Sequence, residues 1–282
     1  MHLTRRQSIG LIAAATLAPP LHAAPATPAF TSRRILVRSE GTGPDVVLIP
    51  GLGSGPDNWS RLVRDMPGRR FHLVHVRGFA GLPAEANAKG VLLDPLADEI
   101  ARYIRESRLN APALIGHSMG GILALLVALR QPASAGRLMV VDMLPAPAEL
   151  LGGTASGMGF LARQMRAYFT GTQAGRQAFA QLMQQAIPAG ANSDPDVIAA
   201  ALDELATLDL GPRLAAIRAP LTVVPALPAD NARASALLTQ VRAAWRPASQ
   251  ARIVPMRPSS HMVMFDRPQE FAAAVASFLK GV

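Results

Sequence analysis

The chain has 282 residues, half of them hydrophobic, which is enough to bury a large core as one α/β domain carrying an insertion. It has no cysteine, which excludes a disulfide framework, Cys-ligated zinc, an iron–sulfur cluster and a thiol nucleophile. The formal charge is +9, but the basic residues are scattered and aromatics make up only 5%, so the basic stripe with interleaved stacking residues that nucleic-acid binding needs is missing.

Residues 1–26 read as an export signal. Arg5-Arg6 precede a modest apolar stretch from Leu11 to Ala18, and small residues surround an expected cleavage point between Ala23 and Ala26. The pattern fits a bacterial twin-arginine signal, with the general secretory route as the alternative; either destination is periplasmic or secreted. The run is too short to span a bilayer. Removing Arg5 and Arg6 from the 28 basic residues leaves 26 against 19 acidic ones, a charge of +7.

A linker over 27–33 leads into the first part of the core, 34–142. Strands are expected at 34–38, 45–50 and 71–76, the second a continuous apolar run of the kind buried in a parallel sheet. Helices are expected from Asp57 through Val63 and from Asp94 to Arg108, the latter with Leu96, Ile100, Tyr103 and Ile104 on one face. A strand at 113–117 is followed by a Leu/Ala-rich helix to about Arg130 and another strand at 137–142.

The alternation then pauses. Residues 143–212 are glycine-rich at first and then show helical patterns at 160–169, 176–187 and 195–208, as expected of an inserted helical lid. The core resumes over 213–282 with strands at 221–224 and 251–254 and helices at 232–245 and 268–279. Strands alternating with helices predict a doubly wound, mostly parallel sheet.

The chemistry centres on Gly116-His117-Ser118-Met119-Gly120-Gly121. This is G-x-S-x-G between an apolar strand and a helix, the context that gives the motif meaning. A serine on so tight an elbow projects its hydroxyl above the sheet, while glycines two before and two after let strand and helix pass without Cβ clashes. The Met119 N–H opens the helix and points toward an oxyanion forming beside Ser118.

With this motif, Pro50-Gly51-Leu52-Gly53-Ser54-Gly55-Pro56-Asp57-Asn58-Trp59 and the stretch from Ser259 to Phe271, the chain resembles the α/β-hydrolases over nearly everything after residue 33. The resemblance implies a serine, an acid and a histidine in that chain order. Of six histidines, His2 and His22 lie in the leader, His72 and His75 in a strand, and His117 on the wrong side of the elbow to act as base. His261 remains, between the last strand and the last helix, where the family places its base; Ser259 and Ser260 depart from the glycine that often precedes it.

Two aspartates compete as the acid. Asp142 ends the strand after the elbow helix and is placed first; Asp230 follows the strand 221–224, but late and without the usual glycine. Gly51-Leu52 holds the position of the family's oxyanion turn, with Pro50 in place of histidine, so the Leu52 N–H joins that of Met119. Met143, Phe160 and Met165 are the candidate substrate-lining residues, Met being suited to irregular apolar ligands.

The resemblance thus implies an exported serine hydrolase needing no cofactor or metal and acting on a small apolar ester-like substrate, a carboxylester or lactone. A C–C bond hydrolase or a cofactor-free perhydrolase would use the same residues. A carboxylate nucleophile, as in dehalogenation, is excluded by Ser118, and zinc hydrolysis lacks H-E-x-x-H. The reading from another class is a non-catalytic binder of an apolar ligand.

Overall fold

The fold follows from two continuous apolar strands that only the middle of a sheet can accommodate. In the computed structural model, which describes residues 30–150 and 192–280 with isolated positions between, β2 (Asp45–Ile49) and β4 (Ala113–His117) lie side by side and are buried almost throughout. Around them are β1 (Ile35–Gly41), β3 (Arg70–Val76), β5 (Arg137–Val141), β6 (Leu221–Val224) and β7 (Arg252–Ile253). The seven strands run in the order β1-β3-β2-β4-β5-β6-β7. Only β1 is antiparallel to its neighbour, the five other pairings being parallel.

Alternate strand residues feed two cores. Val47, Ile49, Leu114, Leu138, Val140 and Val223 face one side, packed by α2 (Leu93–Glu106), α3 (Met119–Arg130), α5 (Pro195–Thr207) and α6 (Asn231–Trp245). Val46, Leu48, Ile115, Met139, Val141 and Val224 face the other, under α1 (Ser60–Asp65), α7 (Val263–Asp266) and α8 (Pro268–Phe278). This is the doubly wound arrangement that the alternation of strands and helices predicts. Helix α3 is buried from Met119 to Ala128, which explains why its sequence is apolar on every face.

Between β5 and β6 the described residues form α4 (Pro147–Leu150) and α5. Asp194 caps α5 through the N–H groups of Asp196 and Val197, with Pro195 at its first turn. Helix α5 is fixed to the core at both ends. Val197 packs on Gly78, where a Cβ would come within 2.7 Å of the valine methyl. The Glu204 carboxylate accepts from the N–H groups of Leu92 (2.5 Å) and Leu93 (3.0 Å), capping α2 from outside it. The export signal at 1–26, the expected helix at 160–169 and the candidates Phe160 and Met165 lie outside the described residues, and the expected helix at 176–187 almost wholly so. Among the described residues, no helix is long and apolar enough to cross a membrane.

Candidate active site

Ser118 leaves β4 with φ +52° and ψ −124°, a strained conformation for a residue with a side chain. Its N–H donates to Val141 O at the end of β5 (2.9 Å) and its carbonyl accepts from Gly121 N–H (2.8 Å), so the elbow is held from both sides. The motif glycines are required by contact. A Cβ on Gly116 would sit 2.1 Å from Gly120 O, and one on Gly120 would sit 2.2 Å from Ile49 O. Nothing larger lets α3 start this close to β2 and β4.

Asp142 repeats the device one strand further along. It follows β5 with φ +48° and donates its N–H to Val224 O of β6 (2.9 Å). Its side chain is almost fully buried, with Oδ1 accepting from Ala226 N–H (2.8 Å) and Oδ2 bonded to His261 Nδ1 (2.7 Å). Asp230 plays a different part: its Oδ1 accepts from Arg233 N–H and caps α6. Of the two candidate acids, only Asp142 meets the imidazole.

The loop bearing His261 is shaped from below by Asp266, which accepts from the Ser260 N–H (2.6 Å) and hydroxyl (2.5 Å). Those hydrogen bonds hold the Asp266 carboxyl below its ordinary value. The two serines before His261 therefore do what the glycine of the expected pattern does not: they give the loop a carboxylate anchor. With Nδ1–H donated to Asp142, the exposed His261 ring keeps its Nε2 lone pair for a proton.

His117 joins the two halves of the site. Its Nε2–H donates to the His261 carbonyl (2.9 Å), and the two rings lie 4.6 Å apart between centroids. Burial, then the neighbouring His261, push its pKa down to about 3, against the opposing effect of the carbonyl bond, so the ring is neutral. The contact spans 144 residues, and no local pattern announces it.

Gly51, in the turn after β2, abuts the elbow: a Cβ there would lie 3.1 Å from Ser118 Cβ and 2.9 Å from His117 Nδ1. Leu52 follows, half-buried, and Met119 is the fully buried first residue of α3. Both expected oxyanion donors thus belong to the segments that meet at Ser118. Trp59, just beyond the turn, is fully buried and stacks with Phe271 of α8 at 6.4 Å between centroids. Met143, beside Asp142, is buried.

The histidines in β3 belong to other networks. His72 bonds Tyr103 OH through Nδ1 (2.6 Å) and Asp45 through Nε2 (2.8 Å), while His75 donates to Phe79 O (2.9 Å). Burial holds both below the ordinary imidazole value.

Comparison with known proteins agrees with this architecture. The profile described as "Alpha/beta hydrolase family" matches residues 46–274. The sn-1-specific diacylglycerol lipase ABHD11 of Mus musculus is 27% identical over 273 residues, 86% of this chain and 83% of that one. A pimeloyl-[acyl-carrier protein] methyl ester esterase of Aeromonas hydrophila is 33% identical over 112 residues, 39% of this chain and 42% of its own. Among solved structures, the esterase EaEST of Exiguobacterium antarcticum superposes with a TM-score of 0.68 at 19% identity, covering 88% of this chain and 96% of that one. The strand order, the strained serine elbow and the profile match agree: the chain is a hydrolase that belongs to the alpha/beta hydrolase family.

Proposed function

We propose that the protein is an exported serine hydrolase that cleaves a carboxylester or lactone through an acyl-enzyme on Ser118. One observation carries the reading. His261 Nδ1 is bonded to a strand-end carboxylate, Asp142, while the same histidine is bound through its carbonyl to the residue preceding the elbow serine. A general base must be held in one orientation beside its nucleophile, and an imidazole bonded to a buried carboxylate is held so.

Ser118 Oγ attacks the substrate carbonyl and its proton passes to His261 Nε2. Asp142 stabilises the imidazolium without taking the proton itself. The negative charge on the carbonyl oxygen is met by the N–H groups of Leu52 and Met119, each donor worth a few kcal/mol of barrier. Collapse breaks the C–O bond, and the leaving alkoxide takes its proton from His261. Water then enters, its oxygen bonds the acyl carbon as His261 removes its proton, and the bond from Ser118 Oγ to the acyl carbon breaks as His261 returns the proton to Oγ, which frees the acid and restores the serine. No step needs a cofactor.

The ester reading draws support from relatives named as a diacylglycerol lipase and as a methyl ester esterase. The residues over 143–212 are proposed to cover the site as a helical lid, and residues 1–26 to direct export. Turnover of p-nitrophenyl esters and of lactones tests the reading. The wild type should hydrolyse at least one series, and Ser118→Ala and His261→Ala should fall to background; a wild type inert on both panels, or variants that keep their rate, would contradict it.

A further inference from the structure

We propose that His117 is a positioning residue for the base: its Nε2–H holds the His261 carbonyl and sets where the imidazole stands against the elbow. The inference rests on the reading of Ser118 and His261 as nucleophile and base.

His117 is suited to the task because it is immobile. It is the last residue of β4, in register with Val141 of β5, and the next residue is fixed by the Ser118 N–H to Val141 bond. A donor on a rigid strand end defines a position better than one on a loop. The remaining contacts of the His261 loop are of the other kind. Ser260 bonds to Asp266 six residues away, and Ser259 N–H donates to Leu227 O in the loop after β6. Among the described residues, the hydrogen bonds that join His261 itself to strand ends are those with Asp142 and with His117. Asp142 fixes the ring through its side chain; His117 fixes the backbone behind it.

The protonation state follows from burial. Two imidazoles 4.6 Å apart cannot both accept a proton cheaply. His117 is fully enclosed, which keeps it neutral, while His261 has the Asp142 carboxylate at its Nδ1. The other nitrogen of His117 supports the same assignment. Among the described residues, Nδ1 is buried without a hydrogen-bond partner, and it is packed against Gly51. An unpaired buried acceptor costs stability, so the ring's one hydrogen bond, to His261, is the contribution its polarity makes.

Three variants and one spectrum test this. His117→Phe keeps a ring without a donor, and His117→Gln keeps a donor at similar reach. The Phe variant should lose about 10- to 100-fold in kcat with KM within about threefold, as expected when a base is displaced by a fraction of an ångström. The Gln variant should recover most of that loss. A folded Phe variant with wild-type kcat, or a Gln variant as slow as Phe, overturns the proposal. Should the Phe variant not fold, imidazole 15N shifts of the wild type decide: His117 should remain neutral and Nε2-protonated from pH 8 to pH 5, and a titration near 6.5 or a proton on Nδ1 overturns it. Ser118→Ala, run beside these, separates the two failures. If it retains turnover, the nucleophile reading falls; if it is inactive while His117→Phe is unaffected, only the positioning role falls.

Discussion

His261 and Asp142, 119 residues apart, share a 2.7 Å hydrogen bond whose acceptor is itself held by the Ala226 N–H at 2.8 Å. The carboxylate therefore cannot swing away from the imidazole without giving up a buried bond. With Nδ1 as the donor to Asp142, the ring's other nitrogen, Nε2, is the one without the proton.

Replacing Asp142 by Asn should lower kcat by about 10³- to 10⁴-fold, because an amide that donates to Nδ1 selects the wrong tautomer. Asp230→Asn should leave kcat unchanged, and Asp230→Ala should cost about 1 kcal/mol of stability through loss of the α6 cap. Steady-state kinetics and urea melts of the three variants check both statements. A large kcat loss in Asp230→Asn would reverse the assignment of the acid.

The motif glycines should be irreplaceable for steric reasons before any catalytic ones. Gly116→Ala and Gly120→Ala each drive a methyl into backbone oxygen, at 2.1 Å and 2.2 Å, and should cost about 3 kcal/mol or more. Gly90→Ala is the control. It has φ +82° but open space around the added methyl, and should cost about 1 kcal/mol from backbone strain alone. Thermal melting ranks the three, and equal losses would refute the steric account.

Stability should fall as pH drops below about 6.5. His72, His75 and His117 are all held below their ordinary value of 6.5, in each case by burial first. Below that pH the unfolded chain takes up protons that the folded chain refuses, so unfolding binds protons and acid favours it. Each fully withheld proton is worth about 1.4 kcal/mol per pH unit. The depressed carboxylates of Asp45, Asp266 and Glu99 contribute fully above their ordinary values of 3.8 and 4.5, so the bulk of their loss lies below a titration from pH 8 to pH 5. Urea midpoints over that range should decline with acidification; a flat profile would contradict the burial of these rings.

Glu204 should couple α5 to α2. Its carboxylate caps two N–H groups at the start of α2, where the helix dipole also favours negative charge. Glu204→Ala should cost about 1–2 kcal/mol and should speed hydrogen exchange at the Leu92 and Leu93 amides first. Unchanged exchange there would show that the cap does not matter in solution.

Most of the sheet was legible because its strands are continuous apolar runs between turn residues, and β6 falls on Leu221–Val224 as expected. β7 is shorter than the expected 251–254, covering only Arg252–Ile253, since Pro225, just after β6, has no N–H to give to the Val254 carbonyl; pairing resumes as a bridge between Ala226 and Met256. Helix α2 starts at Leu93 rather than Asp94, within the usual uncertainty of a helix end, with a cap that comes from Glu204 far along the chain. The serine elbow was readable from five residues because its requirements are local. The choice between Asp142 and Asp230 was not, because both carboxylates follow strands and only the meeting with His261 tells them apart. His117 was set aside as a base for its place on the wrong side of the elbow, and its bond to the His261 backbone joins distant segments and leaves no periodic trace.

The most direct test is the intact mass of the protein after exposure to a fluorophosphonate. The account predicts a single adduct on the peptide containing Ser118, absent in Ser118→Ala and formed far more slowly in His261→Ala and Asp142→Asn. A folded wild type that never labels, or a label that persists in Ser118→Ala at the wild-type rate, would contradict a nucleophile at residue 118 activated by His261 and Asp142.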